Sequence, residues 1–144
     1  MRMLLTVAAV TIAFVAGCSS SPPPEKPQPG TMVIGTAQVT VNDADAGTTD
    51  AVQCSVAGPL TTITTGDDQS GVTALVSNAD DLTAQSVAIR NLGGFTGSYN
   101  AGLGSEAKVT QTGRTFDIEG TADGFQTDQP SFRTGGTFAI KVAC

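Results

Sequence analysis

The chain has 144 residues, 17 of them glycine, and carries 13 Asp and Glu against 7 Lys and Arg, for a net charge of −6. No basic stripe is available to neutralise phosphates, which argues against a nucleic-acid partner. Histidine is absent, so neither a Ser-His-Asp nor a Cys-His arrangement can be built, and a zinc site would lack its commonest nitrogen ligand.

Arg2 gives the sequence a positive start, and an apolar run over residues 4–16 follows, broken only by Thr6 and Thr11. A run this short reads as an export signal rather than a membrane-spanning helix. It ends Val15-Ala16-Gly17-Cys18, which resembles a bacterial lipobox. Small residues at 16 and 17 let an extended backbone enter a protease site, and the Cys18 thiol is the nucleophile for alkylation. The expectation is cleavage before Cys18 and lipid on its sulfur; an ordinary secretory signal with a cysteine at the cut site is the alternative. At about 0.8 kcal/mol per buried methylene, two or three acyl chains anchor a domain stably.

Residues 19–30 read SSSPPPEKPQPG, with nothing apolar to pack. This is a tether, semi-rigid where proline clusters, able to hold a domain roughly 35 Å from a bilayer at about 3.1 Å per residue. The expected organisation is a signal over residues 1–17, a lipidated Cys18 with its tether over 18–30, and a single β domain over 31–144.

From residue 31 the period is two. Val33, Ala37, Val39 and Val41 share one parity. Residues 42–50 read as a polar turn. Val52, Cys54 and Val56 form the inward face of a strand ended by Gly58-Pro59, and residues 60–65 form a threonine-rich strand. Residues 72–76 are apolar on both faces and predict a central strand. Residues 78–85 hold Asp80, Asp81 and Leu82 and could form one helical turn. Residues 86–92 return to strand with Val87 and Ile89 inward and Arg90 outward. After Gly93-Gly94, Phe95, Gly97 and Tyr99 share a face. Residues 107–111 and 115–122 flank a tight turn at Thr112-Gly113-Arg114. Residues 123–136 read as a long polar loop, and 137–144 as a final strand with Phe138, Ile140 and Val142 inward. About seven to nine short strands with little helix predict an all-β antiparallel sandwich or partly open barrel.

With Cys18 assigned to lipid, Cys54 and Cys144 remain. In an oxidising compartment such a pair most often forms a disulfide, and both cysteines share parity with inward residues. A bridge closing so long a loop contributes about 4–5 kcal/mol in the chain-entropy model. Two buried free thiols are the alternative.

Two acidic groups have the spacing of candidate sites. Asn42, Asp43 and Asp45 before Gly47 look in part like a calcium loop but lack the distal bidentate glutamate, so a solvated turn is expected. Asp117 and Glu119 are spaced as paired carboxylates on one strand face, which alternation with Phe116 and Ile118 explains as the solvent face. No catalytic residue, metal set or cofactor is proposed, and no phosphate-cradling glycine loop is present.

The signal with its lipobox, the polar linker, Cys144, the runs 71–76 and 86–94 and the hairpin 107–124 (AKVTQTGRTFDIEGTADG) resemble the mycobacterial LpqH-type lipoprotein antigen family. The resemblance maps the family's lipid-bearing cysteine to Cys18 and its paired cysteines to Cys54 and Cys144. It implies a non-enzymatic, surface-exposed lipoprotein, exported and held by its lipid on the outer face of the cytoplasmic membrane or at the envelope surface. It also implies sensing by host innate receptors. The linker departs from the pattern: prolines stand where the family's prototype has glycosylated threonines, so linker glycosylation does not carry over. A lipid or glycolipid carrier is the alternative function, because a sandwich open on one side can hold acyl chains.

Overall fold

A computed structural model describes Gly17 and residues 28–144. The expected signal and most of the expected tether, Cys18 included, lie outside the described residues. Ten antiparallel strands form one sheet that curls into a nearly closed barrel: β1 Ala37–Val41, β2 Ala44–Thr49, β3 Val52–Ala57, β4 Leu60–Gly66, β5 Gly71–Ser77, β6 Thr83–Leu92, β7 Phe95–Asn100, β8 Ala107–Thr112, β9 Thr115–Gln126 and β10 Arg133–Ala143. The order is β2-β1-β10-β9-β7-β6-β5-β4-β3, with β8 paired to β9 outside that path. The two edge strands, β2 and β3, are consecutive in sequence and separated only by Asp50 and Ala51. A sheet whose ends are joined by so short a link must bend round on itself.

Alternation produces the core. Val39 and Val41 from β1, Ile63 from β4, Val72, Ala74 and Val76 from β5, Val87 and Ile89 from β6 and Phe138, Ile140 and Val142 from β10 are buried together. The doubly apolar run in β5 is indeed central: β4 and β6 flank it, and most of its side chains are covered. Long β9 serves two neighbours on one side, pairing with β8 through Thr115–Gly120 and with β7 through Asp123–Gln126.

The structure corrects the expected element list in four places. Residues 44–49 form a strand rather than a turn. Residues 78–82 form a loop with no helical turn, and β6 starts at Thr83. The expected loop over 123–136 shrinks to residues 127–132, because β9 and β10 extend into it. Val33 lies before β1 and is exposed.

Glycine explains the extended β9 and β10. Strand pairing brings Gly97 opposite Gly124, and a Cβ on Gly124 would meet Thr96 O at 2.0 Å and Gly97 Cα at 2.4 Å. The ring of fully buried Phe95 lies over Gly97 and Gly136, whose Cβ atoms would reach it at 2.6 and 2.9 Å. These residues weaken the strand signal in sequence and permit the close backbone approach in the fold. Gly124→Ala should therefore lower stability by about 1–3 kcal/mol or more, as overpacking against backbone does. Gly135→Ala, where the nearest atom is 3.9 Å from the added Cβ, should be near neutral. Urea midpoints of the two variants check this, and equal midpoints would contradict it.

Candidate functional site

Cys54 and Cys144 are joined in a disulfide that spans 90 residues of sequence, with Cα atoms 5.9 Å apart. Cys54 lies opposite Ile63, on the inward parity of β3. The expectation that both sulfurs sit in the core needs correcting. Cys144 is half-buried against the core, whereas Cys54 is exposed and Val56 is 72% exposed. Inward parity buries a side chain only where another element covers that face. Strand β3 is the sheet edge, with β4 its sole strand partner. The disulfide is the covalent link from this edge across to the end of β10.

That corner is fastened from several directions. Cys144 N donates to Arg114 O at 2.9 Å, Gly35 N to Ala143 O at 2.9 Å, and Ala143 N to Thr36 O at 3.0 Å. Met32 N donates to the buried Thr115 Oγ1 at 3.1 Å. The segment leading out of the tether is thus bound to the end of β10 and the start of β9. Beside the disulfide lies an open cleft of about 350 Å³. Buried Val76 and Phe116 line it together with Leu82 and the exposed Val56, and Thr61, Asn78, Gln111 and Arg114 supply its polar margin.

A second, polar concavity of about 330 Å³ is lined by Asp50, Gln53, Thr64, Asp67, Asp68 and Arg90, among others. Arg90 is half-buried rather than turned out to solvent. Its Nη1 donates to Thr73 Oγ1 at 2.9 Å and its Nη2 to Asp67 O at 3.1 Å, while buried Nε has no partner. Asp67 Oδ1 accepts the backbone N–H groups of Ser70 and Gln69, both at 2.9 Å. Those two donors, with the nearby Arg90 charge, hold its carboxyl below the ordinary value of 3.8. The group is a structural turn lock: the Asp67 carboxylate binds N–H groups of its own loop and Arg90 binds its carbonyl, with Asp50, Asp68 and Thr64 in the same lining.

The remaining candidates are placed plainly. Asn42 and Asp43 adopt left-handed backbone with φ of 51° and 62°, and Asp45 Oδ1 accepts Gly47 N–H at 2.8 Å. The acids there close a tight turn on itself. Asp117 and Glu119 lie on the outer face, opposite Lys141 and Lys108 in register. Among the described residues no group of three or more His, Cys, Asp or Glu could hold a metal ion.

A sequence profile of the family described as Mycobacterium 19 kDa lipoprotein antigen matches residues 30–144. The chain belongs to this family. The matched region takes in the whole barrel and both disulfide cysteines. Among the antigen family's relatives, a putative lipoprotein of Mycobacterium indicus pranii is 40% identical over 144 residues, covering 99% of this chain and 98% of the relative. A putative lipoprotein of Mycobacterium avium subsp. hominissuis is 37% identical, covering 98% and 92%. Lipoprotein LpqH of Mycobacterium tuberculosis is 28% identical over 160 residues, covering all of this chain and 99% of the relative. The matches to full-length relatives reach past the barrel into the signal and tether.

Two predictions concern the fastened ends. Cys54→Ser should cost about 2–4 kcal/mol through the reopened loop, and because Cys54 is exposed the new hydroxyl stays hydrated and adds no burial penalty. Hydrogen exchange should rise first in β3 and in the second half of β10; an unchanged midpoint and exchange pattern would remove the lock's role. Asp67 should titrate below 3.8 by carboxyl NMR. Its folded-state pKa is depressed, so its contribution is present above the unfolded value and lost as pH falls through the folded one. Asp67→Asn should abolish that part of the acid sensitivity, and an Asp67 midpoint at or above the ordinary value would contradict the turn lock.

Proposed function

We propose that the chain is an exported lipoprotein, cut before Cys18 and acylated on the Cys18 sulfur, whose barrel serves as a non-enzymatic interaction module at the envelope surface. The observation that carries this is the succession from lipobox to polar tether to a barrel whose first residues, 31–36, are fastened to β9 and β10. Anchor and domain are thereby separate units joined at one defined corner. The family's description as a lipoprotein antigen supports the reading. Recognition by innate receptors, on this reading, belongs to the acylated N-terminus, because the acyl chains are carried at Cys18 and not in the barrel.

The interaction module is preferred to a lipid carrier because inward side chains fill the barrel. Phe95, Ile63, Ile89, Ile118, Ile140 and Val87 are each at most 1% exposed. The cleft beside the disulfide is shallow and open rather than an enclosed lumen.

Mass spectrometry of the mature N-terminus from cell envelopes tests the anchor: a diacylglyceryl or triacylated Cys18 is expected, and an unmodified or differently placed N-terminus refutes it. Cys18→Ala, with the signal removed, should release a folded barrel from the membrane fraction. Continued membrane attachment of that variant would show that the lipid on Cys18 is not the anchor.

A further inference from the structure

Strand register sorts the loops into two ends. Ala37 opposite Val142, Ala143 opposite Thr115 and Thr112 opposite Thr115 place the entry to β1, the exit of β10 and the β8–β9 turn together. Ala57 opposite Leu60, Leu60 opposite Ser77 and Ser77 opposite Thr83 gather the β3–β4 turn and the β5–β6 loop. The cleft shared by Val56, Thr61 and Leu82 with Arg114 and Cys144 makes these one end of the barrel. The tether enters at this end. The opposite end carries Asn42-Asp43, Asp67-Asp68 and residues 127–132.

The two ends differ in chemistry: the opposite end exposes a single large apolar side chain among the described residues, Phe132, on loops that carry Asp43, Asp67, Asp68 and Asp128. At the tether end, Met32-Val33-Ile34-Gly35 and Val56-Ala57-Gly58-Pro59-Leu60 are two uncharged stretches. In them Val33 is 71%, Ile34 59%, Val56 72% and Leu60 37% exposed. Turns between strands are normally polar, and scattered apolar residues need no explanation. Four of them, two before β1 and two at the strand ends flanking the β3–β4 turn, border the corner where the tether arrives and form a patch with a direction.

We propose that this end of the barrel rests in the membrane interface, with Val33, Ile34, Val56 and Leu60 among headgroups and the upper acyl chains, and Arg114 turned to lipid phosphate. The proposal rests on lipid at Cys18. Residues 19–27 lie between that cysteine and the described chain, so the tether's extended reach of roughly 35 Å is a limit, not a fixed standoff. Tethering raises the local concentration of bilayer to about the millimolar range, so a weak apolar contact is sufficient. Asp80 and Asp81 on the same end direct it to zwitterionic rather than anionic lipid.

The chain has no tryptophan, so single reporters can be added at exposed positions. Full-length acylated V33W, V56W and, as the opposite-end control, F132W are reconstituted in phosphatidylcholine vesicles and floated. Expected is a blue-shifted emission for V33W and V56W, quenched at least about twofold by brominated acyl chains at the depth of roughly 5–10 Å that interfacial groups reach. F132W should show neither change. Vesicle-bound V33W and V56W that behave like F132W overturn the proposal. A blue shift without bromine quenching means a second copy covers the patch, which also overturns it. Failure of the unlabelled protein to float refutes lipid at Cys18, and the proposal falls with it.

Discussion

The pairing of β1 with β10 is the contact on which the barrel depends. Ala37 lies opposite Val142 and Val41 opposite Phe138, so the first and last strands meet across nearly the whole domain. Five inward residues from these two strands, Val39, Val41, Phe138, Ile140 and Val142, enter the core at that seam. Among the described residues, hairpin β1–β2 pairs with the rest of the sheet through β10 alone. The ladder is continued at one end by Thr36 and Gly35 against Ala143, and closed at the other by Asn42, whose Oδ1 accepts Thr137 N–H at 3.0 Å. A buried edge pair of this kind satisfies backbone groups that an open sheet would leave to solvent or to other chains.

The disulfide extends this closure to the far edge of the sheet. Strand β3 shows water almost all of its side chains, so it gains little from burial and is held by the β4 ladder and by Cys54. The lock compensates for a strand that has a core-facing parity but no covering neighbour. At the opposite end, Asn91 holds the loops without covalent chemistry. Its backbone N–H binds Thr96 Oγ1, its carbonyl accepts Ser70 Oγ, and its Oδ1 accepts Thr127 Oγ1. Left-handed backbone at Asn91, with φ of 43°, aims these groups at β7 and at two separate loops; asparagine is among the few residues that tolerate it.

Much of this was legible in the sequence, because period-two alternation is a direct imprint of a sheet with one wet and one dry face. It located the inward residues of β1, β6, β7, β9 and β10, placed β5 centrally and paired the two cysteines. It failed where the physical basis of alternation is missing. Strand β2, Ala44 to Thr49, is small, polar and mostly exposed on both faces, so it carries no pattern. The glycine-rich ends of β9 and β10 look like loop because the space a side chain would take is filled by the β7 backbone at Gly124 and by the Phe95 ring at Gly136. Val33 and Val56 fit the parity rule and are nevertheless exposed, since parity reports a direction and cannot report what stands there. The proposal of lipid at Cys18 rests on the sequence motif alone, since Cys18 lies outside the described residues.

The distance in sequence between partners also orders events in time. An exported chain emerges from its translocation channel in sequence order, and β3 emerges with its cysteine long before β10 brings the partner 90 residues later. Strand β1 waits for the same arrival. The hairpins from β3 through β7 can assemble locally, but the seam closes only when β10 is out. Non-local pairing of this sort slows folding and leaves edges exposed meanwhile. Oxidation is therefore bound to the arrival of the last strand: the Cys54 thiol must stay free of wrong partners throughout that interval.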